Sequence, residues 1–93
     1  MAKEVDSKVF IGRKKSFAYV MAAMIVLNEK PVRLLARGRS ISRAVDVSEI
    51  LINKFAKGAT YGEILINTEV ITNTDGTNNN VSSIEIEIIP RKK

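Results

Sequence analysis

Two different spacings of apolar residues alternate along this chain, and the switches between them mark its elements. Lys8-Val9-Phe10-Ile11 reads as a short strand of β-branched and aromatic residues, stopped by Gly12. Apolar positions then recur at Phe17, Val20, Met21, Met24 and Leu27, the spacing of one helical stripe, with Ser16 as N-cap and the pattern fading over residues 28–31. Residues 32–36 return to a period of two: Val32, Leu34 and Ala36 share the core face, while Arg33, Leu35 and Arg37 share the other. A second helix is predicted from a cap at Ser40 or Ser42, with Ile41, Ala44, Val45, Val47, Leu51 and Phe55 inward and Gly58 as its stop. Residues 63–72 and 81–89 are two further strands. The last alternates cleanly, with Ile84, Ile86 and Ile88 inward and Glu85 and Glu87 outward.

The order βαβαββ predicts an α+β two-layer sandwich. Two right-handed crossovers place both helices on one face of a mixed four-stranded sheet, and the last two strands form an extended hairpin arm. The connection over residues 73–80 is long, since hairpins usually turn in two to five residues. It therefore reads as a functional polar tip. Leu35, Ile71 and Ile89 fall on outward positions, which points to a dimer that covers them.

With 93 residues, 45% hydrophobic and 27% charged, the chain is expected to be one globular domain spanning residues 1–93. Residues 1–7 read as a frayed start and residues 91–93 as a basic tail. The absence of cysteine and histidine argues against a disulfide framework, a thiolate nucleophile or a transition-metal site, and no cofactor is expected. The apolar run over residues 17–27 is too short to span a bilayer, and the first residues lack the pattern of a signal peptide. A cytoplasmic protein with no membrane partner is the expectation.

Charge distribution changes the picture more than composition does. Residues 1–57, 58–90 and 91–93 carry net charges of +7, −5 and +3. The basic part concentrates cations in Gly12-Arg13-Lys14-Lys15-Ser16 and in Arg37-Gly38-Arg39-Ser40, each just ahead of a predicted helix start. A helix begins with unpaired N–H groups and a partial positive charge, so each such cation costs roughly 0.3–1 kcal/mol at low salt. A bound polyanion would reconcile that placement. Gly38 would also allow a turn that brings backbone N–H groups close to a phosphate.

The plainer readings are a solvated loop for Arg13, Lys14 and Lys15, and ion pairs with Asp46 or Glu49 for Arg37 and Arg39. Arg43 divides evenly between an imperfect pair with the same acids and a binding role. Phe17, Met21 and Met24 read as core, Tyr19 and Tyr61 as partly buried, and Phe55 by its spacing as core. No pairing of carboxylates and no nucleophile with its base can be read from the spacing, so catalysis is not expected.

The chain resembles the Alba family of small archaeal chromatin and RNA-binding proteins over nearly everything from Val9 to Lys93. The resemblance rests on Ile11-Gly12-Arg13-Lys14, on Tyr19-Val20 and above all on Ala36-Arg37-Gly38-Arg39-Ser40-Ile41-Ser42-Arg43-Ala44-Val45-Asp46. Asn53-Lys54-Phe55 and the ending from Val81 to Ile88 support it. It implies a dimer that binds double-stranded DNA without sequence preference, and also RNA, with the hairpins reaching along the minor groove. It implies Arg13 and Lys14 as the central basic pair, with acetylation at Lys14 or Lys15. Arg37, Gly38, Arg39 and Arg43 would form the second cluster, and Phe55 a contact between neighbouring dimers.

Two departures stand out. Lys15 and Ser16 occupy positions where the family often has proline and a small residue, and the arm over residues 72–81 carries no cation and one acid, Asp75. Asn73, Thr74, Asn78, Asn79 and Asn80 remain as neutral arm contacts to phosphate, sugar or base edges. The expected function is that of a chromosome-associated binder of duplex DNA acting by phosphate neutralisation and also binding RNA. The alternatives are an RNA-binding subunit of a ribonucleoprotein and a heterodimer partner of a more basic paralogue.

Overall fold

Alternation in the central strands decides which side of the sheet is dry. A computed structural model describes residues 7–91. Its elements are β1 (Lys8–Phe10), α1 (Ser16–Leu27), β2 (Val32–Arg37), α2 (Ser40–Ile50), β3 (Thr60–Thr72) and β4 (Asn78–Ile89). The strands form one sheet in the order β1-β2-β4-β3, with β1 parallel to β2 and the other two pairings antiparallel. Val9 lies opposite Leu34 and Leu34 opposite Ile86, so one buried row crosses three strands. Both helices pack on that face. Val20, Ala23, Ala44, Val47 and Leu51 are fully buried against Val32, Leu34 and Ile88. Each buried Val, Leu or Ile side chain stabilises the fold by roughly 1.5–3 kcal/mol.

The α+β sandwich in βαβαββ order is as expected, and several local expectations are corrected. The buried stripe of α1 is Tyr19, Val20, Ala23, Val26 and Leu27, whereas Phe17 and Met21 are exposed and Met24 is only partly buried. Almost every residue of α1 is apolar, so periodicity alone does not fix which face turns inward. None of the expected serine caps operates. Ser16 and Ser40 are the first helical residues, Ser42 lies inside α2, and neither helix start has a side-chain cap or an acidic first turn.

The second helix does not run straight to its glycine. After Ile50 it widens over Leu51–Phe55, where the Ala56 N–H reaches back five residues to the Leu51 carbonyl at 2.6 Å. The wider turn takes Phe55 off the Leu51 stripe, and it ends exposed, as does Val45. The hairpin is longer, and its turn shorter, than expected. Asn78, Asn79 and Asn80 pair with Thr72, Ile71 and Val70, leaving a turn over residues 73–77 closed by Asn73 N–H to the Thr77 carbonyl at 2.7 Å.

Ser7, read as frayed, is held in the sheet, since its carbonyl accepts the Arg33 N–H at 2.7 Å. The rest of that start, residues 1–6, and tail residues 92–93 lie outside the described residues. Leu35, Ile71 and Ile89 are half-buried within the chain itself.

Candidate nucleic-acid interface

Gly12 and Lys14 are fixed at both ends of their peptide groups. The Tyr19 hydroxyl accepts the N–H of Gly12 and of Lys14, each at 2.9 Å. From the other side, Arg43 Nη1 donates to the Gly12 carbonyl at 3.1 Å and to the Lys14 carbonyl at 2.9 Å. A side chain on Gly12 would meet the Tyr19 oxygen at 3.2 Å, so the close approach favours glycine there. The backbone between β1 and α1 is therefore clamped, while the side chains of Arg13, Lys14 and Lys15 remain exposed. The sequence pattern by itself marks Tyr19 as a partly buried aromatic. The usable signal was a tyrosine, not a phenylalanine, on an apolar helix, because a buried phenol needs a polar partner.

The second loop turns at Gly38, whose φ of 56° lies in the left-handed region. Its N–H donates to the Ser82 carbonyl at 2.8 Å, and its carbonyl accepts the Ile41 N–H at 3.2 Å. That N–H is used by the fold. Gly38 shapes the loop that carries Arg37 and Arg39, both of which line one concavity.

The two basic loops, on either side of α1 and β2, meet in one concavity of about 570 Å³ lined by Gly12, Arg13, Arg37, Arg39, Ser40 and Arg43. Lys14 and Lys15 stand outside its lining. Among the described residues, the side chains of Arg13, Lys14, Lys15 and Arg39 have no hydrogen bond or ion pair. Arg37 pairs with Glu69 at 3.5 Å, not with Asp46 or Glu49, and both partners are largely exposed. Such a pair contributes at most about 1 kcal/mol. Arg43 likewise pairs with neither acid.

The acidic segment neutralises a different arginine. On the face away from the helices, Arg33 contacts Glu85, Glu87 at 3.4 Å and Glu63 at 3.5 Å. The hydrogen bond to Glu85, opposed by desolvation and reinforced by the charge of Glu87, raises the Arg33 guanidinium above its ordinary value. The negative charge of β3 and β4 is thus held largely away from the concavity.

Beyond Asn67 and Ser83 the hairpin leaves the support of β2, which pairs no further than Ser83. In its turn, Asn73 donates to Thr77 Oγ1 at 2.9 Å and Asp75 accepts from the Thr77 N–H at 3.0 Å. Thr72 donates to Asn78 Oδ1 at 3.0 Å. Thr74, Asn79 and Asn80 are exposed, with Asn79 on the opposite face of the ribbon from Asn78 and Asn80. None of these tip residues lines the concavity.

Phe55 packs edge-on against Phe17, ring centres 6.0 Å apart, and both rings are partly in solvent. Tyr61 donates to Glu49 and shares a 2.9 Å hydrogen bond with Ser48. Burial, then the bond to Glu49, raises its phenol above the ordinary value. Among the described residues, no helix is long and apolar enough to cross a membrane, and no cluster of three or more His, Cys, Asp or Glu residues is placed to hold a metal.

Comparison with known proteins gives the family of the chain. The Alba family model matches residues 7–74. The chain is 44% identical to the DNA/RNA-binding protein Alba of Nitrosopumilus maritimus over 90 residues, covering 95% of each chain. It is 46% identical to the protein of the same description from Methanothrix thermoacetophila over 83 residues, or 87% of this chain and 92% of the relative. The solved structure of Alba from Thermoplasma volcanium superposes with a TM-score of 0.82 at 40% identity, covering 88% of this chain and 98% of the other. An Alba protein of Trypanosoma brucei gives 0.74 at 27% identity, covering 92% and 70%. A family model spanning most of the chain and relatives above 40% identity across nearly all of it place the protein in the Alba family.

Proposed function

We propose that the protein is a dimeric, largely sequence-independent binder of double-stranded DNA that acts by phosphate neutralisation and also binds RNA. One observation carries the reading: two basic loops, each preceding an uncapped helix, converge on a single concavity with most of their cations unpaired. Arg13, Arg37, Arg39 and Arg43 supply the charge inside it, and Lys14 and Lys15 extend the field outward. Phosphate there satisfies orphan helix N–H groups and cations together. Relatives described as DNA/RNA-binding proteins support this, and nothing in the family's description points to catalysis.

The dimer rests on exposed apolar surface. Ile64, Ile66 and Val70 of β3 and Val45 of α2 are 43–80% exposed, and β3 is an open sheet edge. A second copy on that edge would remove both liabilities. Phe55 with Phe17, continuous with exposed Met21 and Ile25, is a separate surface suited to contacts between dimers. Exposed Lys14 and Lys15 are open to acetylation, which deletes one charge each.

The whole 93-residue chain would act as one cytoplasmic, chromosome-associated domain. The cation-free arm favours a second reading, an RNA-binding ribonucleoprotein subunit, in which the arm asparagines make neutral contacts. Titrating duplex DNA and structured RNA of equal length at two salt concentrations tests both. Steeply salt-dependent duplex binding supports the first, RNA preference the second, and no binding by a stable dimer supports a heterodimer partner of a more basic paralogue.

A further inference from the structure

The face of the sheet opposite the helices carries a second groove, of about 490 Å³, that shares Gly12, Arg13, Arg37 and Ser40 with the basic concavity. Its floor follows from strand register. Phe10 lies opposite Leu35, Leu35 opposite Glu85 and Glu85 opposite Leu65, so one row of side chains crosses all four strands. The next row is Arg37, Ser83 and Asn67. Phe10 is 68% exposed, which leaves its ring available on a sheet surface at the mouth of the cationic site. Glu85 is drawn toward Arg33, so the apolar row does not meet an unpaired charge.

We propose that this groove takes one unpaired nucleotide of an RNA, its phosphate on Arg13 and Arg37 and its base stacked on Phe10 beside Leu35 and Leu65. The inference rests on the reading of the basic concavity as a phosphate site and assigns that site a second ligand class. The unpaired Arg13 at the rim and continuity with the concavity select a nucleic acid as the occupant, with Arg37 exchanging its exposed pair with Glu69 for the phosphate. The exposed Phe10 ring beside Leu35 and Leu65 selects an unpaired base, since a base inside a duplex has no face to offer. The acceptors around the row, Glu69, Glu85 and Ser83, select RNA over single-stranded DNA, because a 2′-hydroxyl can donate to them and a deoxyribose cannot. The groove is roughly of the size that encloses a small ligand.

The test uses the full chain, a Phe10→Ala variant and a Phe10→Trp variant. The probes are an RNA stem-loop with an unpaired loop, the same stem without the loop, the deoxy version of the stem-loop, and duplex DNA. Phe10→Ala should weaken the RNA stem-loop by about 5- to 100-fold, the range of one lost base–aromatic stack. Stem and duplex binding should stay within about twofold, and Phe10→Trp should restore the loop preference. Equal binding of the RNA loop by parent and Phe10→Ala, with duplex DNA still bound, overturns the groove assignment alone. Equal binding of RNA and deoxy stem-loops overturns the choice of RNA. A change in oligomeric mass of Phe10→Ala by light scattering makes the groove a contact between copies and also overturns it. Failure of the parent to bind any probe overturns the phosphate site and the groove together.

Discussion

Arg43, on α2, donates to the carbonyl of Lys14, on the loop before α1, at 2.9 Å. It reaches the Gly12 carbonyl with the same nitrogen, so this arginine is a positioning residue for the first basic loop as well as part of its charge. Arg39, in the same concavity, has no such bond. The two should separate in a salt series. Arg39→Gln removes one phosphate contact per protomer and should reduce the slope of log affinity against log salt by about two for the dimer. Arg43→Gln should lower affinity several-fold with a smaller change of slope. Anisotropy titrations on one duplex across several salt concentrations measure both.

Tyr19→Phe removes the acceptor for two N–H groups while leaving the ring packed. The loss should destabilise the fold by about 1–3 kcal/mol, the cost of leaving part-buried donors unpaired. Urea unfolding should show a lower midpoint at unchanged m-value. Amide exchange should accelerate at Gly12 and Lys14 before it does elsewhere.

Arg33 and Arg37 stand two residues apart on one face of β2, yet their substitutions should differ. Arg33→Met leaves Glu63, Glu85 and Glu87 without their shared cation and should lower the denaturation midpoint clearly. Arg37→Met breaks an exposed pair at 3.5 Å and should cost no more than about 1 kcal/mol of stability, while weakening duplex binding. Chemical denaturation and binding on the same samples check the reversal of order.

Tyr61 gives the stability a dependence on alkaline pH. Its phenol in the folded chain lies above the ordinary value of 10.0, through burial and then the hydrogen bond to Glu49. The unfolded chain therefore loses this proton first as pH rises. The contribution is fully present below pH 10.0 and is lost as pH climbs from there through the raised value. Parent and Tyr61→Phe should converge in stability over that range, as measured by denaturant midpoints against pH.

The fold was legible where each residue had one clear preference. Ile84 to Ile88 alternates strictly, Val32 to Arg37 does so except at Leu35, and those strands formed with the expected faces. Legibility failed in α1, where apolar residues occupy every side and the inward face is chosen by tertiary packing and by the Tyr19 hydroxyl on the loop. It failed again at Phe55, because nothing local announces the wider turn that moves it outward. The cations of both loops could be found from their position ahead of helices. Their meeting in one concavity, the closing of the clamp by Arg43, and the groove beside Phe10 depend on contacts between distant segments. No window of sequence contains them.

The most direct test of the concavity as a phosphate site is the salt dependence of duplex DNA binding by the parent and by an Arg13→Gln, Arg39→Gln double variant. If the dimer contacts ~6–10 phosphates, the parent slope should lie near −5 to −9, and affinity should fall by about 10³–10⁵ between 50 and 200 mM salt. The double variant, with four cations lost per dimer, should give a clearly shallower slope and weaker binding at low salt. Two superimposable salt series would contradict phosphate binding at this site.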